Sequence, residues 1–307
     1  MQAWPLERKI RVTQTRIIEW YQHWDGQVYI SFSGGKDSTV LLDLARRIYP
    51  DLPAVFSDTG LEFPEIRKFV ASIENVERVV PEMRFDKVVT EYGYPIVGKK
   101  QARFIRDLKN DTGNNEITKN MRITGLNKNG VMCPSMKLAK KWLYLKDAPF
   151  KISEQCCDIT KKKPLKQYDK RTGRHPIVGT MCEESDMREK IWISSGCNAF
   201  DAKNPISTPM AFWTEQDVLH YLKDFNIPYC SVYGDIVEDD EGQLSTTGEH
   251  RTGCMFCMFG VQFDKEPNRF QRMKVTHPKQ YEYCMKQVED GGLGLSTVLD
   301  YIGIKYE

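Results

Sequence analysis

Two sets of residues in this 307-residue chain have the types and spacing to do chemistry. The first is Ser33-Gly34-Gly35-Lys36-Asp37-Ser38, directly after a strand-like run, Val28 to Ser33, and before a helical one that starts at about Asp37. A glycine-rich turn at that place presents consecutive backbone N–H groups at a helix N-terminus, where polyphosphate oxygens bind most favourably. The two serines add hydroxyls, Lys36 adds a positive charge, and Asp37 suits Mg²⁺ or a helix cap. The blander alternative is a glycine turn with an Asp cap. The spacing is neither GxxxxGK[ST] nor GxGxxG, which argues against a Walker-type NTPase and a dinucleotide site. The second set is thiol chemistry: an adjacent pair, Cys156-Cys157, and a distant Cys254-Met-Phe-Cys257 among nine cysteines. Four thiolates are the complement of a [4Fe–4S] cluster. They also suit tetrahedral Zn²⁺, although adjacent ligands chelate zinc awkwardly, so the cluster is favoured over zinc and either over buried free thiols. Cys133 is a substitute for one member of the pair. Cys182, Cys197, Cys230 and Cys284 read as buried cysteines, one of them a conceivable sulfur carrier.

The elements that must position these groups follow from periodicity. Ile10 to Trp24 reads as an opening amphipathic helix, and the helix after the loop ends at Pro50. Ala54 to Phe56 reads as a strand, Asp58-Thr-Gly60 as a turn, Pro64 to Ile73 as a helix and Glu77 to Val80 as a third strand. Alternating strands and helices with short connections imply an α/β, doubly wound parallel sheet. Basic helices are expected at Lys99 to Asn110 and Ser135 to Lys146, and strands at His175 to Gly179 and Ile191 to Ser194. A helix is expected over Thr214 to Phe225, with Thr214 and Asp217 as a capping box, and a loop over Glu238 to Gly248. The expected partition is an N-terminal helix (1–24), a nucleotide-binding domain (25–235) and a C-terminal cysteine-bearing segment (236–307).

Composition narrows the class. The chain carries 44 Lys plus Arg, 42 Asp plus Glu and 40% hydrophobic residues, with a mean hydropathy of −0.52. No apolar run approaches the length of a membrane span, and the start lacks a secretory leader, so a reducing cytoplasm without disulfides is expected. The near-neutral total hides an asymmetry: residues 98–174 hold 20 basic against 7 acidic residues, and the remainder 24 against 35. A segment of this kind suits a polyanion such as DNA or tRNA, the alternative being a solvated helical face.

Ser33 to Ser38 resembles the SGGxDS pyrophosphate loop of the ATP pyrophosphatase (PP-loop) superfamily. Phe56-Ser-Asp58-Thr-Gly60-Leu-Glu62-Phe63-Pro64-Glu65 resembles the DTGxxFPE segment of its phosphoadenosine phosphosulfate reductase branch. Cys156-Cys157 through Lys161, Pro164 and Leu165 is similar to the CCxxxKxxPL segment of iron–sulfur adenylylsulfate reductases, and Arg251-Thr-Gly253-Cys254 opens the matching CxxC. Pro209 to Leu222 resembles the PLxxWTxxDVWxYI helix, with Asp217 structural. Glu184, Ser185 and Arg188 match a nucleotide-facing GxRxxES…R segment in which Met181 replaces the first Arg.

The resemblance implies ATP with Mg²⁺ on Ser33, Gly34, Gly35, Lys36, Asp37 and Ser38. Lys36, Asp37 and Asp58 are the implied catalytic residues, Asp58 at its strand's carboxyl end as a metal or ribose contact with a turn aspartate as the alternative; Glu184 and Arg188 contact the nucleotide, and Cys156, Cys157, Cys254 and Cys257 bind the cluster. Reductases of this family carry an altered loop and a C-terminal ECGLH cysteine. Here the loop is whole and no cysteine follows Cys284, whose helical setting suggests packing. The combination is that of ATP pyrophosphatases that install sulfur in nucleic acids, with a cysteine desulfurase or other thiol as donor and a homo-oligomer or larger complex as assembly. The alternatives are a sulfonucleotide reductase and a non-catalytic nucleotide sensor.

Overall fold

The computed structural model describes residues 1–307 and separates into two compact units, each discontinuous in sequence: Met1–Pro81 with Lys163–Gly253, and Glu82–Lys162 with Cys254–Glu307. The expected boundaries after residues 24 and 235 are therefore not where the chain divides. Helix α1 (Leu6–His23) belongs to the first unit, because its Ile17 and Trp20 are buried in that unit's core. It is also tied to α9 (Glu215–Asp224) by the ion pair between Lys9 and Asp217, 2.5 Å, and by Thr13, which accepts from Trp213 Nε1 at 2.8 Å.

In the first unit, β1 (Val28–Ser31), α2 (Lys36–Arg46), β2 (Ala54–Ser57), α3 (Pro64–Ala71) and β3 (Val76–Val79) alternate as the sequence implies. The second half adds α7 (Lys163–Thr172), β5 (His175–Val178), α8 (Asp186–Ser195) and the short strands β6 (Asn198–Ala199) and β7 (Ile206–Ser207). The six strands form one sheet in the order β3-β2-β1-β5-β7-β6, parallel except for the β6–β7 pair. Val28, Ile30, Ala54 and Val55 are fully buried, as β-branched and small residues are in a sheet covered on both faces. This is the doubly wound α/β sheet read from the periodicity. Its strand order reverses at β1, with β2 on one side and β5 on the other, and the crevice beyond the carboxyl ends at such a reversal is where α/β sheets bind ligands.

Two expectations for this unit fail. Residues 191–194 are helical within α8, because Ser185 caps that helix by accepting from Arg188 N and the apolar Ile191 and Ile193 face solvent rather than alternate into a sheet. Residues 238–248 are not simply a loop: β8 (Ile236–Glu238) pairs antiparallel with β9 (Leu244–Thr246). Asp239 ties the hairpin tip by accepting from Glu241 N and Gln243 N. The Thr214–Asp217 capping box forms as expected, and Asp217 is structural.

The second unit is mostly helical. It contains α4 (Phe85–Glu91), α5 (Lys99–Lys109), α6 (Glu116–Thr124), α10 (Arg269–Thr276), α11 (Pro278–Met285) and α12 (Leu295–Tyr301). Its parallel pair is β4 (Ile96–Val97) with β10 (Met258–Phe259). The basic helix expected over 135–146 resolves into 3₁₀ turns at Pro134–Met136 and Lys140–Asp147, with Leu138 and Leu145 as inward anchors. No helix in the chain is long and apolar enough to cross a membrane.

Candidate functional site: a phosphate loop and a cysteine set

The loop between β1 and α2 is held by its own residues. Gly34 has φ +72°, and a Cβ there would come within 2.7 Å of Val70 Cγ2 and 2.9 Å of Ile66 Cγ2 on α3, so only glycine allows the turn and the close approach together. Ser38 Oγ accepts from Ser33 N at 3.2 Å and lies 3.0 Å from Ser33 Oγ. Gly35 N donates to Ser33 Oγ, and Lys36 N to the hydroxyl of Tyr233. The hydroxyls and amides that would grip a phosphate thus satisfy one another across the turn. Gly179, at the carboxyl end of β5, lets the second strand approach: a Cβ there would lie 3.2 Å from Asp37 O.

A cavity of about 410 Å³ opens above this turn. Ser33, Gly35, Lys36 and Asp37 form its floor; Met181, Glu183, Glu184, Glu215, Tyr233 and Arg251–Gly253 form its walls. Lys36 is 5% exposed, and its ammonium sits 2.8 Å from Glu215 Oε1 and donates to His250 O at 2.7 Å. Burial pushes the Asp37 carboxyl above its ordinary value, with Lys36 opposing. Its Oδ1 is buried and has no hydrogen-bond partner. A buried carboxylate oxygen without a donor is costly unless a cation meets it, so this atom fits a hard divalent ion. Burial likewise raises Tyr233 to about 12, which keeps its hydroxyl neutral 2.5 Å from Thr252 Oγ1.

Not every expected residue converges here. Glu184 lines the cavity and is ion-paired with Arg188, whose side chain does not line it. Asp58 lies outside it. Its buried carboxylate is taken by Arg78, at 2.6 Å, and by Arg67, and it accepts from Gly60 N as a turn aspartate does. Asp58 instead lines a separate hollow with Phe56, Val76 and the two arginines. A metal or ribose contact by Asp58 has no support in this geometry.

The cysteine set lies in the second unit. Cys156 and Cys157, with sulfurs 3.9 Å apart, open a helical segment that continues as a π-helical turn over Asp158–Lys162. Such turns recur at functional sites. Cys257 N donates to Cys254 O at 3.1 Å, closing the CxxC knuckle. Beyond the knuckle, β10 pairs with β4, and Arg269 fixes its backbone by donating to the carbonyls of Cys257 and Phe259. Cys156 shares its proton with Cys157, and burial together with the nearby Cys257 and Cys254 drives it further upward. The Cys156 thiol donating to it, with Lys99 and Lys161 nearby, draws Cys157 below its ordinary value. Four sulfurs are the right donor chemistry for an iron–sulfur cluster, yet no three metal-ligating side chains stand in closed ligating geometry. Cys133 follows the turn bridged by Leu126 and Met132, its N donating to Gly125 O at 2.7 Å. Cys284 is wholly buried on α11, donates to Tyr281 O and is pushed up to about 12, the signature of a packed thiol.

Residues 27–93 and 99–258 match the phosphoadenosine phosphosulfate reductase domain. The chain belongs to that family. Among curated proteins it is similar to an uncharacterized protein of Methanocaldococcus jannaschii, 24% identical over 279 residues that cover 90% of this chain. The chain spans about half of that relative, 51% of its length. An adenosine 5'-phosphosulfate reductase of Staphylococcus epidermidis is 26% identical, covering 83% of this chain and 80% of the relative. Among solved structures, a phosphate complex of phosphoadenylyl-sulfate reductase from Candida auris aligns at a TM-score of 0.42 and 15% identity, over 78% of this chain and 90% of that one.

In this member of the phosphoadenosine phosphosulfate reductase family, several cavity residues carried no assigned role in the sequence: Glu183, Glu215, Tyr233, Arg251 and Thr252. Arg251 is the informative one. It stands close enough to Asp37 to favour its carboxylate, so the cavity has a guanidinium despite Met181. The signal was present, since Arg251 and Thr252 precede the CxxC in a segment already matched for its cysteines.

Proposed function

We propose that the protein activates an oxygen nucleophile with ATP, releasing pyrophosphate and leaving an adenylylated substrate that then accepts sulfur. The observation that carries this reading is the intact phosphate turn: Ser33, Lys36 and Asp37 line one cavity, Ser38 Oγ backs Ser33 Oγ at 3.0 Å, and the Asp37 carboxyl has a buried oxygen without a partner. The acceptor oxygen bonds to the α-phosphorus, the bond from that phosphorus to the bridging oxygen breaks, and pyrophosphate leaves with its electron pair. No protein nucleophile is needed; positioning and charge neutralisation do the work. Asp37 would hold Mg²⁺. Lys36 and Arg251 would offset charge on the departing pyrophosphate and on the nucleotide. Cys156, Cys157, Cys254 and Cys257 would hold a [4Fe–4S] cluster, which when bound would supply a site for sulfur; Zn²⁺ is the alternative occupant. A thiol donor such as a cysteine desulfurase would provide the sulfur.

The test is pyrophosphate release from ATP and Mg²⁺ by anaerobically purified protein across candidate acceptors, read beside the absorbance near 400 nm and the iron content. The reading fails if no acceptor elicits pyrophosphate while a sulfonucleotide binds tightly. Family membership and the similarity to an adenosine 5'-phosphosulfate reductase favour a second reading, reduction of a sulfonucleotide to sulfite. Thioredoxin-dependent sulfite release would establish it.

A further inference from the structure

The positive charge of residues 98–174 is not spread evenly over the second unit. Arg106 and Arg122 are paired with Glu154 and Asp107. By contrast, Lys99, Lys100 and Arg103 on α5, and Lys137, Lys140 and Lys141 on the segment beside it, are exposed and make no ion pair. The two elements are joined where Ala139 N donates to Gln101 Oε1 at 2.9 Å, so the six cations share one surface.

Aromatic rings adjoin these cations. Lys141 Nζ lies 5.2 Å from the Trp142 ring centroid and 5.9 Å from that of Phe263. Phe263 is 75% exposed beside these cations. Tyr144, 42% exposed, lies 6.4 Å from Trp142 and stacks on Tyr301 at 5.8 Å, which leaves it one outward face. A solvated basic face alone needs no exposed rings. An acidic protein would explain the charge but not the rings; an anionic membrane uses lysines and aromatic rings together, and the vesicle arm of the experiment below separates it from a nucleic acid. Bases stacked on rings while phosphates meet lysines explain both.

We propose that this face binds a single-stranded nucleic acid, with phosphates on Lys99, Lys100, Arg103, Lys137, Lys140 and Lys141 and bases stacked on Phe263 and its neighbouring rings. A duplex hides its base faces and would use only the cations. Lys99 also stands near Cys157, which brings the bound strand to the cysteine set within the same unit. Its identification as the sulfur acceptor rests on the activation reading above; the binding itself does not.

The experiment is fluorescence anisotropy of the full chain with labelled oligo(dT) and oligo(U) of about 15 nucleotides, against a duplex of equal length, heparin and phosphatidylserine vesicles. Both strands bind more tightly than the duplex, and the stronger of them identifies DNA or RNA. With one phosphate on each of the six cations, affinity falls about 300-fold between 50 and 200 mM salt. Phe263→Ala, at a site too exposed to affect folding, weakens strand binding about tenfold and leaves the duplex unchanged. The double charge reversal Lys140→Glu, Lys141→Glu weakens both and flattens the salt dependence. Equal affinity for strand and duplex with Phe263→Ala silent, or binding of heparin or vesicles without strands, overturns the proposal. Binding is measured without ATP, so lost strand affinity with intact pyrophosphate release rejects this surface. Intact affinity with no pyrophosphate release for any acceptor rejects activation instead.

Discussion

The phosphate turn and the cysteine set are built on opposite principles. The turn is assembled by six consecutive residues tied by Ser33–Ser38 and Gly35–Ser33 hydrogen bonds and by Lys36 N to Tyr233, with α3 and Gly179 packed against it, so its shape exists before any ligand arrives. The cysteines come from segments about a hundred residues apart, and only their halves, the adjacent pair and the CxxC knuckle, are organised locally. A preformed site spends little of its ligand's binding energy on ordering; one completed by a cofactor takes part of its stability from that cofactor. Damage to the turn should therefore show in turnover, and damage to the cysteines in cofactor content and stability.

The strongest way to break the contrast is Lys36→Met, which lowers pyrophosphate release by about 10² to 10³-fold, as losing one charge-stabilising donor does, and leaves iron content at the native level by ferrozine assay. Joint loss of iron would show the regions to be energetically one. Cys254→Ser is the converse: iron and the band near 400 nm disappear and the melting temperature drops, while ATP binding by calorimetry changes less than about threefold, under 1 kcal/mol.

A third prediction concerns charge stored in the turn. Burial raises Asp37, so its carboxylate costs the fold stability as pH climbs above the unfolded value of about 3.9, and the cost vanishes below it. Asp37→Asn accordingly melts higher than the native chain at pH 7.5, with the gap closing toward pH 4, while pyrophosphate release is lost. A gap that widens on acidification would contradict this sign. The smallest effect is at Cys284: replacement by Ser changes sulfite or pyrophosphate production less than about twofold and costs roughly 1 kcal/mol of stability for placing a hydroxyl where a thiol packs. Loss of sulfite release would instead name it the reducing thiol.

The parts of this molecule legible in the sequence are those whose causes are local. Ser33–Ser38, the alternation from β1 to β3 and the Thr214 cap each depend on residues within a few positions. Half of the cavity wall was not legible, because Glu215 and Tyr233 reach it through tertiary packing that no short spacing encodes, whereas Glu184 and Arg251 lie in segments matched for other reasons. The same holds for the two discontinuous units, which no composition boundary marks. Helix α8 was misread because Ile191-Trp-Ile193 looks like a buried strand, whereas its cap at Ser185 decides the geometry. The hairpin at β8 and β9 was missed because an acidic tip disguised two short strands. Asp58 shows the limit of local reading: its place at a strand end suggested a ligand, and only the fold shows Arg67 and Arg78 paired with it.

Lys36 meets a carboxylate, Glu215, and a carbonyl, His250 O, inside the cavity. On the activation reading, a pyrophosphate held by Lys36 would lie beside that carboxylate, and the like charges would favour its departure. Glu215→Gln is then expected to tighten pyrophosphate inhibition several-fold and to slow turnover through delayed release.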